Sequence, residues 1–385
     1  MKQKKGKSRP GFFARLMFFA NCIVAMLLLL SYLAPLTDPQ TFWPIAFLGL
    51  AYPILLPVNL FFMVYWMFGR ARLALVSLAC ILIGYRSLAG TFGFRTGDED
   101  GSAKSSPDLL RVMTYNVHLL RTFYEQENSS PIRDQMFELT RIEQPDIICF
   151  QEFITRAKGP MDNIRLLKRI TGTEHVYYVP NSGNDFESQG LAIFSRFPIL
   201  NAGSLLFPNT SRGNEAIFAD IWFNNRVIRV YNVHFQSIGF QPEDYKYMKD
   251  VIGANKSDDV KSFRRILSRL KRAFIKRGEQ AKLLKTHTLA CKTPFMVMGD
   301  FNDTPVSYTL HLMEKDVKNA FREKGSGLGI TYNGDFPNFQ IDYILASNAF
   351  TVKTYNIPRK KLSDHYAVRS DLYLAPPATG SPDKK

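Results

Sequence analysis

Residues Phe295–Pro305 read FMVMGDFNDTP. Phe295 to Met298 is an apolar run of strand length, broken by Gly299 and closed by Pro305. Asp300, Asn302 and Asp303 follow it directly. A buried strand delivers side chains at a fixed height with little freedom, so a polar cluster at its end is held in place. Asp offers a hard anionic oxygen, and Asn a neutral amide that both donates and accepts. This mixture suits hydrated Mg²⁺, or Mn²⁺ in its place, and a phosphate oxygen better than it suits a soft metal. A strand followed by an Asx-turn gives the same letters, so the remaining chain has to decide.

The remaining chain repeats the pattern. Leu109–Val117 reads as a strand that ends near Asn116. Ser129–Glu143 carries Ile132, Met136, Leu139 and Ile142 at helical spacing and stops before Pro145. Asp146–Phe150 is a continuous apolar run, as in a central strand, and delivers Gln151 and Glu152. Ile217–Phe223 and Val227–Phe235 flank Asn224 and Asn225, a hairpin signature, and the second arm ends in Asn232, His234 and Gln236. Ile341–Ala346 places Asp342, and Leu362–His365 brings Asp364 and His365 ahead of a last strand, Tyr366–Leu374.

Asn116, Glu152, His234, Asp300, Asn302, Asp342, Asp364 and His365 thus stand at the ends of apolar runs, and only four residue types occur among them. One polar residue at a strand end is ordinary; this set goes beyond what packing selects. Phosphoester hydrolysis uses it. Carboxylates hold a divalent cation that neutralises phosphate charge, a base activates water, and amides with an imidazole stabilise charge developing on phosphoryl oxygens.

The chain has 385 residues and a formal charge of +15, which is local rather than spread out. Lys2, Lys4, Lys5, Lys7, Arg9 and Arg15 crowd the N-terminus, and Lys256–Lys285 holds eleven cations against three acids. The rest is nearly neutral, so the charge does not describe a surface that coats nucleic acid. Val260, Phe263, Leu267, Leu270 and Phe274 recur at helical spacing inside the basic stretch, which predicts an amphipathic helix with a cationic outer face. That face reads either as the solvated side of a packed helix or as a surface for anionic headgroups or nucleic acid. The four cysteines form no CxxC, which excludes a zinc ribbon; Cys149 and Cys291 read as free thiols, with a disulfide between them as the alternative.

Residues 1–95 read as a membrane anchor. Phe12–Ala34 follows the basic leader and is almost wholly apolar, and Phe42–Phe68 and Leu73–Phe94 make two further apolar segments, the last with Arg86 inside it. A cleaved signal peptide is the rival for the first segment. Thr37–Thr41 has no cation, whereas the Gly69–Arg72 turn has Arg70 and Arg72. The cation bias therefore puts the leader and that turn on the cytoplasmic side, and three spans put the rest of the chain on the far side. Short loops and a basic leader point to a bacterial inner membrane with a periplasmic domain; two spans would leave the domain in the cytoplasm. Residues 96–108 read as a linker and 376–385 as a disordered tail.

With TYNVH, CFQE, YNVHFQS, MGDFND, IDYIL and SDH in order between Leu109 and Leu374, the chain resembles the endonuclease/exonuclease/phosphatase superfamily. That superfamily holds repair nucleases, DNases, neutral sphingomyelinases and inositol polyphosphate phosphatases. The resemblance implies an α/β fold, a four-layer α/β/β/α sandwich of two packed mixed sheets flanked by helices, over residues 109–375. It implies Glu152 as the principal metal ligand, supported by Asn116, with Asp364 a further carboxylate near the metal. Asp300 and Asn302 resemble the pair that orients or deprotonates the attacking water and holds the phosphate. His234 resembles the histidine that contacts a non-bridging oxygen or assists the leaving group, and Asp342 and His365 the carboxylate–histidine dyad. Asp300 and His365 both stand as candidates for the general base, because an Asp partner raises imidazole basicity while metal-bound water is already acidified.

Two departures stand out. His118 sits where repair nucleases carry an acid, as a phosphate contact or a structural residue. Outside the basic helix no stacking aromatics or groove for duplex DNA stand out. Nucleic acid and a phospholipid or small phosphodiester are equal expectations for the substrate, with the anchor favouring a substrate near the bilayer. Gln236 and Ser237 after the histidine lean toward sphingomyelinase-like members. A non-catalytic binding or scaffold protein on the same fold is the alternative; it predicts missing ligands, and here all eight positions are filled.

Overall fold

The computed structural model describes residues 11–95, 104–121, 130–208, 213–252, 259–334 and 338–376. The basic leader, most of the expected linker, Lys256, Arg212 and nearly all of the tail lie outside the described residues.

The N-terminal part is helical: α1 (Phe12–Ser31), α2 (Pro39–Phe42), α3 (Pro44–Met67), α4 (Ala71–Ile83) and α5 (Tyr85–Thr91), then a short strand, β1 (Phe92–Phe94). α1 with the turn after it, and α3, are each long and apolar enough to cross a membrane, with mean hydropathies of 2.3 and 2.0. The third apolar segment differs from the single helix expected over Leu73–Phe94. It breaks at Gly84, and α4 and α5 meet at 70°. The Tyr32 ring occupies the space where a Cβ on residue 84 would stand, 2.0 Å away. Asn21, buried between the helices, donates to Ser77 Oγ (2.8 Å) and accepts from Trp66 Nε1 (3.0 Å), a satisfied polar link across apolar helices.

The second part alternates strands and helices. In order they are β2 (Leu110–Asn116), α6 (Ser130–Glu143), β3 (Ile147–Arg156), α7 (Asn163–Thr171), β4 (His175–Gly183), β5 (Glu187–Ser195), β6 (Ile199–Leu206), β7 (Glu215–Phe223) and β8 (Arg226–His234). There follow α8 (Pro242–Ile252), α9 (Val260–Leu289), β9 (Phe295–Asp300), α10 (Tyr308–Glu314), β10 (Val317–Asn319), α11 (Ala320–Lys324), β11 (Ser326–Leu328), β12 (Asp342–Ser347), β13 (Phe350–Val352) and β14 (Val368–Leu374). One six-stranded sheet has the order β13-β14-β2-β3-β5-β4, the other β10-β12-β9-β8-β7-β6. Within them β2–β3 and β8–β9 are parallel and the remaining pairs antiparallel. Ile147, Cys149 and Ile193 of the first sheet face Ile217, Val230 and Met298 of the second. α6 and α7 cover the first sheet through Phe137 and Leu167, and α9 and α10 cover the second through Leu284 and Leu310. This is the expected four-layer sandwich. Strand β6 and helix α8 carried no expectation from sequence.

At the centre of the apolar layer sits a polar link that joins the sheets. Gln151 Nε2 donates to Asn232 Oδ1 (2.7 Å), and Asn232 Nδ2 donates to the carbonyls of Phe150 (2.8 Å) and Ala192 (2.9 Å). Fully satisfied, such a link fixes how one sheet lies over the other. Asn224 and Asn225, with φ of 47° and 57°, form the hairpin turn between β7 and β8. The four cysteines are free thiols.

Gly299 decides the approach of β8 to β9. Its φ is +146°, and a Cβ there would stand 2.0 Å from the Val233 carbonyl oxygen. Gly299→Ala is expected to cost about 3 kcal/mol, read as a lowered urea midpoint; an unchanged midpoint would show that the strands separate at no cost.

α9 differs in face from its sequence reading. The buried stripe runs through Ser262, Ile266, Leu270, Phe274 and Arg277, while Val260 and Phe263 are exposed. Ile266, Leu270 and Phe274 pack on Ala46, Phe47 and Leu50 of α3, so the helix lies between the domain of the two sheets and the N-terminal helices. Other contacts hold the same junction. Asp38 pairs with Lys282, Arg322 donates to the Arg86 carbonyl (2.7 Å), β1 pairs with β11, and Val306 packs among Leu28, Tyr52 and Leu56. The N-terminal end of α3 therefore meets the domain, and its other end, with the Gly69–Arg72 turn, lies about 36 Å away along the helix axis.

Candidate active site

β2, β8 and β9 end on the same rim of the sandwich, antiparallel β12 begins there, opposite Asp300, and β3 passes the rim at a bulge after Phe150 and runs on to Arg156. The strand ends carry Asn116, His234, Asp300 and Asp342, and the bulge within β3 carries Glu152; the loop after β9 adds Asn302, and the loop before β14 adds Asp364 and His365. All eight sequence-derived candidates gather in one cluster.

Asp300 is its centre and is buried. Its Oδ1 accepts from the Asn302 backbone N–H (2.7 Å), and its Oδ2 from the side-chain amides of Asn116 (3.1 Å) and Asn302 (3.1 Å). Two imidazoles point Nε2 at the same Oδ2: His234 at 3.6 Å and His365 at 3.7 Å. His365 Nδ1 donates to Asp342 Oδ2 (2.9 Å). His234 Nδ1 meets the Gly213 carbonyl at 2.9 Å; a carbonyl only accepts, so Nδ1 carries the hydrogen and Nε2 faces the cluster. The Asp342 backbone N–H donates to Thr331 Oγ1 (3.0 Å), which fixes the start of β12.

Glu152 stands on a distortion. It has φ +52°, and the β3–β5 register shifts between Phe150 and Phe153. The bulge turns its carboxylate out of the ladder toward the rim, where it is about one-third exposed. Asn302 also has φ +52°. His118 lies beyond the strand that carries Asn116. It opens a short 3₁₀ turn at φ +42°, its N–H bonded to Asn116 Oδ1 (3.2 Å). From there Nδ1 lies 3.6 Å from Glu152 Oε2 and 3.5 Å from Asp364 Oδ2.

Supporting residues went unread in the sequence. Ser363 Oγ donates to the Asn116 carbonyl (2.9 Å) and accepts from the His365 N–H (3.2 Å), tying the last loop to β2. Arg277, buried in α9, pairs with Asp303 (3.2 Å) and holds the loop after β9 from behind. The SDH and GDFND letters contain Ser363 and Asp303, but neither spacing nor polarity separates them from solvent-facing turn residues.

The family model described as the Endonuclease/Exonuclease/phosphatase family matches residues 113–365. The chain belongs to that family. Among solved structures, the endonuclease/exonuclease/phosphatase from Beutenbergia cavernae DSM 12333 aligns with a TM-score of 0.52 at 19% identity, over 69% of this chain and 72% of that one. The endonuclease/exonuclease/phosphatase from Bacteroides vulgatus aligns with a TM-score of 0.51 at 17% identity, over 69% and 99%. At these identities the likeness is one of fold. A second model, described as a domain of unknown function, matches residues 14–91. No curated protein matches the sequence.

In this endonuclease/exonuclease/phosphatase family member the electrostatics separate the two candidate bases. Burial lifts the Asp300 carboxyl to about 6, with neighbouring Asp342 adding to the lift and His365 and His234 opposing it. Burial alone would depress His365, but Asp342 and Asp300 outweigh it and hold the imidazole well above its ordinary value. The surroundings thus favour the imidazolium of His365 and bring the Asp300 carboxyl toward neutrality. The donor set also fits a hard divalent ion: Glu152 and Asp364 line the cavity over the cluster with carboxylate oxygens, beside the buried Asn116. Ligand atoms of Asp300, Asp342 and His365 lie within 4.8 Å of one another. Asp342 Oδ1 is buried with no hydrogen-bond partner among the described residues.

Proposed function

We propose that the chain is a membrane-anchored, divalent-metal-dependent phosphoester hydrolase. The observation that carries the reading is Asp300: a buried carboxylate lifted to about 6, held by three N–H donors and faced by two imidazole Nε2 atoms, beside Glu152 and Asp364. Glu152, with Asn116 and Asp364, would hold Mg²⁺ or Mn²⁺, which when bound neutralises phosphoryl charge. Asp300 takes the proton of the attacking water, and the Asn302 and Asn116 amides keep its carboxylate aimed. His365, kept cationic by Asp342, donates from Nε2 to a phosphoryl oxygen and stabilises the charge that grows on it, while His234 Nε2 faces the same space. His118, between Glu152 and Asp364, stands where repair nucleases have an acid and lowers the net negative charge of the site.

Anchoring rests on the two apolar helices and the bent pair α4–α5. The catalytic domain joins the end of α3 opposite Arg70 and Arg72, which supports placement across the membrane from those cations, on the periplasmic side of a bacterial inner membrane. A nuclease reading draws on the exposed cations Lys261, Arg264, Lys271 and Arg272 of α9. The test is an assay of the full chain with Mg²⁺ or Mn²⁺ against DNA, RNA, phospholipid and bis-p-nitrophenyl phosphate, with and without EDTA. Turnover that EDTA abolishes supports the reading; bound metal with no turnover on any substrate favours a non-catalytic scaffold.

The lifted Asp300 also predicts a pH profile. The base must be ionised, so the rate falls about tenfold per pH unit as pH drops below about 6. A bound cation favours the carboxylate and moves this limb lower, never higher. A limb above pH 7 in the logarithm of kcat/KM would assign the base to another group.

A further inference from the structure

A cavity of about 870 Å³ opens on the catalytic cluster, with His234, Asp300 and His365 in its wall, and it extends well beyond them. Its far wall is Leu50, Ile238, Phe240, Met248, Ile266 and Leu270. Leu50 belongs to α3, about 9 Å along the helix axis from Pro44. The same helix exposes Ile54, Leu60, Phe61 and Val64. The space that holds the reacting phosphate is thus continuous with one walled by an apolar helix long enough to cross a bilayer. The far wall, aliphatic but for Phe240, suits a hydrocarbon chain; Tyr245, Tyr332 and Phe339 also line the cavity, so what singles out a hydrocarbon is the continuity with α3. A second observation points the same way. Val251 at the end of α8 and Val260 and Phe263 at the start of α9 are exposed, next to the exposed cations Lys261 and Arg264. Such a mixture lies at a membrane surface.

We infer that the substrate is an amphiphile, a phosphoester whose hydrocarbon chain lies along the far wall toward Leu50 while its phosphate reaches Asp300. The assignment rests on the phosphoester hydrolase reading and names its substrate class. The chain enters from the bilayer beside α3, and the headgroup meets Glu152 and His118 at the open rim.

The test uses the full chain in phosphatidylcholine nanodiscs with Mg²⁺ or Mn²⁺. The probes are p-nitrophenyl methyl, butyl and octyl phosphates, each below its critical micelle concentration. Burying two methylenes is worth about tenfold, so kcat/KM is expected to rise at least 10²-fold from methyl to octyl. Leu50→Trp and, separately, Ile266→Trp fill the far end of the cavity and are each expected to shrink that ratio to about tenfold or less. Partition of the longer ester into the nanodisc raises rates equally in all three proteins, so the variants isolate the cavity's share. A flat series in the wild type, or a ratio that survives both variants, overturns the amphiphile while the phosphoester reading stands. Absence of nitrophenolate from every ester overturns both.

Discussion

Asp300→Asn is expected to lower kcat by about 10³-fold while leaving the fold intact. The size follows from the loss of a positioned general base, worth roughly 10²–10⁴-fold. The substitution conserves volume, but the new amide nitrogen faces donors. Asp300 Oδ2 accepts from Asn116 and Asn302, and Oδ1 from the Asn302 backbone. Neither orientation of an asparagine satisfies all three, so part of the loss comes from displaced partners. Asp300→Glu separates the two causes. It restores a carboxylate in a crowded place, so a partial recovery of rate assigns the loss to the proton transfer, and no recovery assigns it to geometry. Single-turnover rates on bis-p-nitrophenyl phosphate measure both; retention of more than a tenth of wild-type kcat in Asp300→Asn would remove Asp300 from the role of base.

Glu152→Gln is expected to reduce kcat/KM by a comparable 10³-fold and to weaken Mn²⁺ binding measured by titration calorimetry. Neutralising phosphoryl charge with a metal contributes several kcal/mol to the transition state. Glu152 is the carboxylate best placed for it, one-third exposed where Asp300 and Asp342 are buried. The bulge that aims it is set by the backbone, so a glutamine takes the same position with one charge fewer. Full activity in Glu152→Gln, with unchanged Mn²⁺ affinity, would move the ion to Asp300, Asp342 and His365.

The cluster was legible in sequence because strands act as rulers. A polar residue just past an apolar run lies at a sheet edge whichever sheet it joins, and the family's motifs gave the order. What needed coordinates is what depends on pairing across the chain. The Gln151–Asn232 link crosses two sheets between residues 81 positions apart, and no local pattern announces it. The ring of Tyr32, 52 positions away in sequence, fills the space beside Gly84 where the helix breaks. The face of α9 was misread by one helical position. The apolar side chains of Val260 and Phe263 were counted into the stripe, whereas the buried stripe admits Ser262 and the paired cation Arg277. A partner offsets the desolvation of the buried guanidinium there, and hydropathy periodicity has no way to see the partner.

The pairing of β1 with β11 changes what residues between Arg95 and Lys104 have to do. On one side of that stretch the chain is stitched into a two-stranded ribbon with the catalytic domain. On the other, Lys104 is clamped on Asp146 (2.8 Å). Asp38–Lys282, Arg322 on the Arg86 carbonyl, and Val306 among the helices hold the halves together independently of the covalent connection. A proteolytic nick in this stretch is expected to release nothing: the two fragments stay docked, as a non-covalent pair of N-terminal helices and α/β sandwich.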